Sequence, residues 1–257
     1  MKITEFNKDH LRVKIYEESE EIAVAAAEFV SFWLDFAISQ IGQANLILGT
    51  GVSQLSFLNY LQKQKIHWEK VTVFHLDEYK GMPETHPASF RRFLKDRILE
   101  RVKPKHVYYL NGDAPDVDSE VLRYENLLKE HPIDIACIGI GENGHIAFND
   151  PPVADFMDPK LVKVVELDED CRKQQLGEGW FPVLENVPTH ALSLTIPAIM
   201  GCKAISCLVP EKRKSHAVNN ALNGEISTAC PASILRKHPN AVLFLDSNSA
   251  SKLPAYK

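Results

Sequence analysis

Basic residues are in short supply. Lysine and arginine number 29 against 34 aspartates and glutamates, a formal net charge of −5 over 257 residues. Nucleic-acid binders usually carry a basic footprint, so this balance argues against broad nucleic-acid binding while leaving room for a local anion site. No run approaches the roughly 18 apolar residues of a membrane span, so no membrane association is expected. The opening stretch, MKITEFNKDHLRVKIYEESEE, lacks the apolar segment of a signal peptide. Cysteine is sparse: Cys137, Cys171, Cys202, Cys207 and Cys230 are odd in number and scattered, with no CxxC. That speaks against a disulfide framework or a zinc site. All five read as structural residues of a protein in a reducing cytoplasm. Internal repeats, low-complexity runs and linkers are also missing. There is no GxGxxG or Walker A nucleotide motif, no GxSxG nucleophile turn and no metal cage.

What is present is ordinary globular composition, 45% hydrophobic and 25% charged. The length is enough for a full core. With no linker in sight, residues 1–257 read as a single domain. Strand-length apolar runs fall at Asn45–Leu48, Val71–Leu76, His106–Leu110, Ile133–Ile140, Leu161–Leu167, Ala191–Thr195, Ala204–Val209 and Ala241–Leu245. Several are solidly apolar and rich in valine and isoleucine, which suits strands buried on both faces of a mostly parallel sheet. Helical periodicity marks Glu18–Ile41, Ser53–Gln64, Ser89–Arg101, Ser119–Glu130, Glu211–Leu222 and Ala232–Arg236. The alternation predicts an open, doubly wound α/β sheet with helices on both faces. Ligands of such sheets bind beyond the carboxyl ends of the strands.

Four strand ends therefore carry the chemistry. The turn Gly49-Thr50-Gly51-Val52-Ser53 leads from strand to helix; its glycines let backbone N–H groups approach an anion, and Thr50 and Ser53 add hydroxyls. A plain tight turn with Ser53 as helix cap would look the same. Asp77 and Glu78 end the next apolar run, where adjacent carboxylates need solvent, a partner or a raised pKa. One of them partly buried in a cleft would make a general base; a solvated turn is the alternative. Three glycines in Gly139-Ile140-Gly141-Glu142-Asn143-Gly144 expose His145, with Asn143 beside it and Asp150 five residues on. That suits an acid–base arrangement and is unlike the usual core histidine, with a structural histidine as the competing reading. Finally, Lys212, Arg213 and Lys214 stand at a helix start, where the macrodipole disfavours cations unless an anion accompanies them. A solvated helix start is the competing reading.

Taken in order, these motifs resemble the glucosamine-6-phosphate deaminases. Asp77-Glu78-Tyr79, Gly81 and His86-Pro87-Ala88-Ser89-Phe90 are similar to that family's DEYxG…HPxS segment. Gly139-Ile140-Gly141 through Asn143-Gly144-His145-Ile146-Ala147-Phe148-Asn149 resembles its glycine–histidine loop. Leu110–Asp116, Pro231–Leu235 and His238 match as well, so the likeness runs from about Gly49 to the C-terminus. It implies a modified Rossmann-like α/β fold and the conversion of glucosamine 6-phosphate and water to fructose 6-phosphate and ammonia, with no metal or organic cofactor. By the same resemblance His145 assists ring opening, Asp77 moves a proton from C2 to C1, and Asn143 and Asp150 orient and tune the histidine. Thr50, Gly51, Ser53 and Lys214 align with the phosphate site, Gly49 and Glu78 flank the substrate, and the partner is a small amino-sugar phosphate. Family members range from monomers to hexamers, which leaves a homo-oligomer open.

Three departures stand out. Typical members have Glu where this chain has Asp150, one methylene less and roughly 1.5 Å less reach. Several have Asp at Asn143. Gly177 occupies the place of a phosphate-binding arginine, for which Arg172, about one and a half turns earlier, could substitute. The stretch Gln174-Gln175-Leu176-Gly177-Glu178-Gly179-Trp180 is also unlike the typical member. Galactosamine 6-phosphate is therefore a second candidate substrate. Two rival activities stay open. One is 6-phosphogluconolactonase, although Ile146-Ala147-Phe148-Asn149 replaces that enzyme's Thr-Ala-Ser; the second is a non-catalytic sugar-phosphate sensor.

Overall fold

Apolar runs of five or six residues build the centre of the molecule. In this computed structural model, which describes residues 4–254, eight strands form the main sheet. They are β1 (Thr4–Lys8), β2 (Leu11–Tyr16), β3 (Ala44–Leu48), β4 (Val71–His75), β6 (His106–Val107), β7 (Ile135–Ile138), β10 (Ala204–Val209) and β11 (Ala241–Asp246), in spatial order β1-β2-β11-β10-β7-β3-β4-β6. The remaining strands, β5 (Asp77–Tyr79), β8 (Val162–Glu166) and β9 (His190–Leu194), make a small antiparallel sheet in order β5-β9-β8. In the main sheet every pairing is parallel except the β1–β2 hairpin. Strands β3, β4, β7, β10 and β11 are buried along their whole length, as expected of parallel strands covered on both faces.

Alternation along these strands assigns the two faces. Leu46, Leu48, Ile135 and Cys137 pack with α1 (Ser19–Ile41), α2 (Leu55–Leu61) and α3 (Phe90–Leu94), which passes through a π turn at Lys95–Leu99 into α4 (Glu100–Val102). Ile47, Ala136, Ile138, Ile205 and Cys207 point the other way, onto α5 (Val117–Glu130), α7 (Ile196–Met200) and α8 (Ser215–Asn223). Helix α6 (Glu169–Gly177) contributes Cys171 to a third cluster with Tyr79, Phe90, Phe148 and Phe181.

Helix α1 corrects one expectation. Its 23 residues contain a window of mean hydropathy 1.6, apolar and long enough by composition to cross a membrane. In the fold, Ile22, Ala26, Val30 and Leu34 are buried against the sheet, and the alanines between them allow close approach.

The chain winds from β3 out through β4 to β6, then returns beside β3 to begin β7 and winds the other way through β10 to β11. The loops after β3 and β7 therefore diverge, opening a crevice at their carboxyl ends. The doubly wound α/β reading holds. Several details differ. Leu161–Leu167 and Ala191–Thr195 enclose β8 and β9 of the separate sheet, because an apolar run does not encode its pairing partner. The β1–β2 hairpin lies where no strand is read from sequence: β1 is an edge strand of mostly exposed or half-exposed polar residues. His106–Leu110 shortens to His106–Val107, and Ala232–Arg236 falls in a 3-10 stretch, Pro231–Lys237.

Candidate active site

The crevice is a cleft open to solvent. Into it the fold brings Gly49, Thr50, Gly51 and Ser53 from the turn after β3, Asp77 after β4, Gly139, Gly141 and His145 after β7, and Lys214 after β10. Residues from all four strand ends thus share one cavity. Glu78, Asn143, Asp150 and Arg172 do not line it.

Asp77 sits where the chain leaves the parallel sheet to enter the small one, pairing in register with Ser193 of β9. The residue is 6% exposed. Burial first, and the neighbouring Glu78 second, push its pKa up to about 8. His75 bridges the Asp77 carbonyl and the backbone N–H of Leu110, and burial brings its own pKa down to about 3.

Glu78 departs from its expected place beside the substrate. Side chains alternate across β5, so it points away from the cleft. Fully buried, it accepts bonds from Ser89 Oγ at 2.8 Å, Phe90 N at 3.2 Å, Arg91 N at 3.1 Å and Arg91 Nε at 3.3 Å. A carboxylate at these N–H groups caps α3 and favours its positive end. Phe90, on the first turn of that helix, reaches the cleft.

His145 depends on Gly141. A Cβ at Gly141 would lie 2.2 Å from two atoms of the imidazole ring, so only glycine leaves room for the ring. Behind it, Nδ1 is 2.7 Å from Asp150 Oδ1, although the N–H is not aligned on that oxygen. Asn143 directs its polar atoms to the neighbours of the ring. Its Nδ2 donates to Asp150 at 2.9 Å and to Asp168 at 3.1 Å, while its Oδ1 accepts the His145 backbone N–H at 3.0 Å. Burial pushes Asp150 up, but His145, Asn143 and Cys171 together hold it below the ordinary carboxylate range. His145, Asp150 and Cys171 each offer a ligand atom within 4.8 Å of the others, the one such group among the described residues.

The opposite wall suits an anion. Gly51 at φ 101° turns the chain into a 3-10 segment, Val52–Gln54, ahead of α2. Lys214 is buried and makes no ion pair with a described residue; burial, then Arg213, lowers its pKa to about 8. Arg172 does not fill the place of the missing arginine. Its guanidinium donates to the carbonyls of Leu184 at 2.8 Å and Val187 at 3.0 Å, outside the cleft. Glu178 lines that wall instead, with Gln174 Nε2 at 3.2 Å and Arg213 Nη2 at 3.7 Å. Sequence reasoning does not place Gln174, Gln175, Glu178, Phe90 and Phe148 at the cleft, yet all five line it. For the first three the signal is the unusual Gln174–Trp180 stretch; Phe90 and Phe148 stand in the two family-like motifs, which give them no role of their own.

A switch-point cleft with a glycine-bearing turn and a buried lysine on one side and a carboxyl–imidazole pair on the other has the layout of an enzyme of the open α/β class. The family model described as glucosamine-6-phosphate isomerases/6-phosphogluconolactonase matches residues 17–244. Glucosamine-6-phosphate deaminase of Bacillus cytotoxicus is 34% identical over 241 residues, covering 94% of this chain and 88% of that protein. The Bacillus cereus deaminase is 33% identical over a span of the same length. A solved structure described as a monomeric glucosamine-6-phosphate deaminase superposes with a TM-score of 0.85 at 30% identity, covering 93% of this chain and 98% of the other. The 6-phosphogluconolactonase of Shewanella baltica shares the fold at a TM-score of 0.76 and 18% identity, covering 91% of this chain and 97% of that one. The chain belongs to the glucosamine-6-phosphate isomerase/6-phosphogluconolactonase family.

Proposed function

We propose that this chain is a glucosamine-6-phosphate deaminase, converting glucosamine 6-phosphate and water to fructose 6-phosphate and ammonia. The observation that carries the reading is Asp77 and His145 lining one cleft with the Gly49–Ser53 turn and Lys214. Deaminases at 33–34% identity over 94% of the chain support it over the lactonase, whose solved Shewanella baltica structure stands at 18% identity.

The roles follow from position. The phosphate sits on the backbone and hydroxyls of Thr50, Gly51 and Ser53 and takes its counter-charge from Lys214. His145, held by Asp150 and Gly141, moves the proton at the ring oxygen as the sugar opens. Asp77 takes the proton from C2 and returns it to C1; one carboxylate serves both carbons because they are adjacent on one face of the enol intermediate. Burial raises the basicity of Asp77, so it holds the proton well between the two steps. Asn143 fixes Asp150 from behind. A homo-oligomer is compatible with this reading. We place the enzyme in the cytoplasm, acting as one domain on a small amino-sugar phosphate.

Ammonia release from glucosamine 6-phosphate and, in parallel, galactosamine 6-phosphate tests the reading. Release from the first is expected. Release from the second alone would move the specificity to the epimer through Gln174, Gln175 and Glu178. Neither, with 6-phosphogluconolactone hydrolysed, would replace the proposal with the lactonase, and binding without turnover would replace it with a sensor.

A further inference from the structure

We propose that His145, Asp150 and Cys171 form a zinc-binding site behind the cleft, and that zinc bound there shuts off His145. The three side chains come from the loop after β7 and from α6, and their ligand atoms lie within 4.8 Å of one another. None of the three residues is more than 7% exposed. The contacts inside the group are imperfect: His145 Nδ1 stands 2.7 Å from Asp150 Oδ1 without an aligned N–H, and no aligned N–H or O–H donor reaches Asp150 Oδ2. Buried polar atoms are rarely left so, and an unplaced ion is a standard reason when they are. Here the Cys171 thiol, in contact with the Asp150 carboxyl, completes the group.

The donor set fits zinc. Imidazole nitrogen, thiolate sulfur and carboxylate oxygen are its three common ligands, and the sulfur disfavours magnesium or calcium. Bonds of about 2.0–2.3 Å in a tetrahedron place ligand atoms roughly 3.3–3.7 Å apart. The 2.7 Å gap between His145 and Asp150 must then widen by less than about 1 Å. One thiolate and one carboxylate neutralise the ion, which removes the main cost of holding it in a buried place. Asn143, bonded to both Asp150 and Asp168, and the Asp168 bond to the Cys171 backbone N–H would steady the ligands from outside. Zinc on Nδ1 takes the atom that faces Asp150, so the imidazole can no longer pass protons in concert with that carboxylate.

Binding stands apart from the deaminase reading; inhibition rests on it. The two are therefore measured separately. Metal-free protein is titrated with cobalt(II) as a spectroscopic stand-in, reading the cobalt–thiolate charge-transfer band, and zinc is then added to displace it. Ammonia release is followed in parallel at buffered free zinc. One equivalent of cobalt with a thiolate band, bleached by zinc, is expected for the wild type. The band should vanish in Cys171→Ala. Losing a group that merely supports a metal ligand costs about 10–100-fold in affinity, so the zinc concentration for half-inhibition should rise more than about tenfold in this variant relative to its own zinc-free rate. Cys171→Ser gives the same reading should the alanine variant fold poorly. A wild type without a thiolate band, or zinc inhibition unchanged in Cys171→Ala and Cys171→Ser, overturns the site. A wild type inactive on amino-sugar phosphates yet showing the band would retain the metal site and remove only its inhibitory role.

Discussion

His75 donates its Nδ1 proton to the carbonyl oxygen of Asp77 across 2.9 Å. The tautomer follows from the other nitrogen, which accepts the Leu110 N–H at 2.8 Å. A neutral, buried imidazole thus fixes the backbone from which the proposed proton carrier hangs. His75→Leu strands one donor and one acceptor, at about 1–3 kcal/mol each. The melting temperature should fall, and kcat should fall further than the lost folded fraction accounts for. Thermal denaturation beside kcat at a temperature where the variant is fully folded separates the two. An unchanged kcat would free Asp77 from this support.

Asp77 itself couples stability to activity. Its pKa in the folded protein is raised to about 8 from 3.8. A carboxyl raised in this way contributes stability that is fully present below pH 3.8 and lost as the pH rises through about 8, at about 1.4 kcal/mol per unit between the two values. Asp77→Asn removes the group that titrates. The variant should be more stable than wild type at pH 8 by a few kcal/mol, and should lose about 10²–10⁴-fold or more in turnover while keeping sugar-phosphate binding. Denaturant melts at pH 5 and pH 8 with isothermal titration and turnover assays would read all three quantities. Equal stability at both pH values would show that the wild-type carboxyl is not held protonated.

How far the sequence carries this site can be judged residue by residue. Asp77, His145, Lys214 and the Gly49–Ser53 turn are legible because strand ends in a doubly wound sheet converge, and a local motif marks each one. Glu78 is misplaced because adjacency in sequence says nothing about which side of a three-residue strand faces the cleft. Arg172 rests on helical spacing alone, and the carbonyls of Leu184 and Val187 claim its guanidinium. The contact between Cys171 and Asp150 joins residues 21 positions apart through the packing of α6. Strand β1 escapes because an edge strand need not be apolar, and β2, paired with both β1 and β11, escapes because Arg12 and Lys14 interrupt its apolar residues.

The anion wall yields a charge prediction. Glu178 stands on the same wall as Lys214 and beside Arg213. Lys214→Ala should chiefly raise KM, the mark of binding lost equally from ground and transition states. Glu178→Gln should lower KM by removing a negative charge beside the phosphate, without lowering kcat. Because burial holds Lys214 at about 8, KM of the wild type should climb as the pH rises through that value. Lys214→Arg, whose charge does not titrate in that range, should flatten the climb. A KM insensitive to both substitutions would remove this wall from phosphate binding.

Gly141 supplies the sharpest steric test. A Cβ there would be 2.2 Å from the His145 ring, yet Gly141 has none of the positive φ values that would strain an alanine backbone. Gly141→Ala should therefore fold and bind phosphate while pushing the imidazole out of its place. A displacement near 1 Å at a reacting group costs roughly 10²-fold. The expected result is a kcat about 10²-fold lower with KM changed little, and ring opening, followed with the anomers of the substrate, slowed by a similar factor. Retained kcat would mean that His145 works from more than one position, and that its contact with Asp150 does not set the rate.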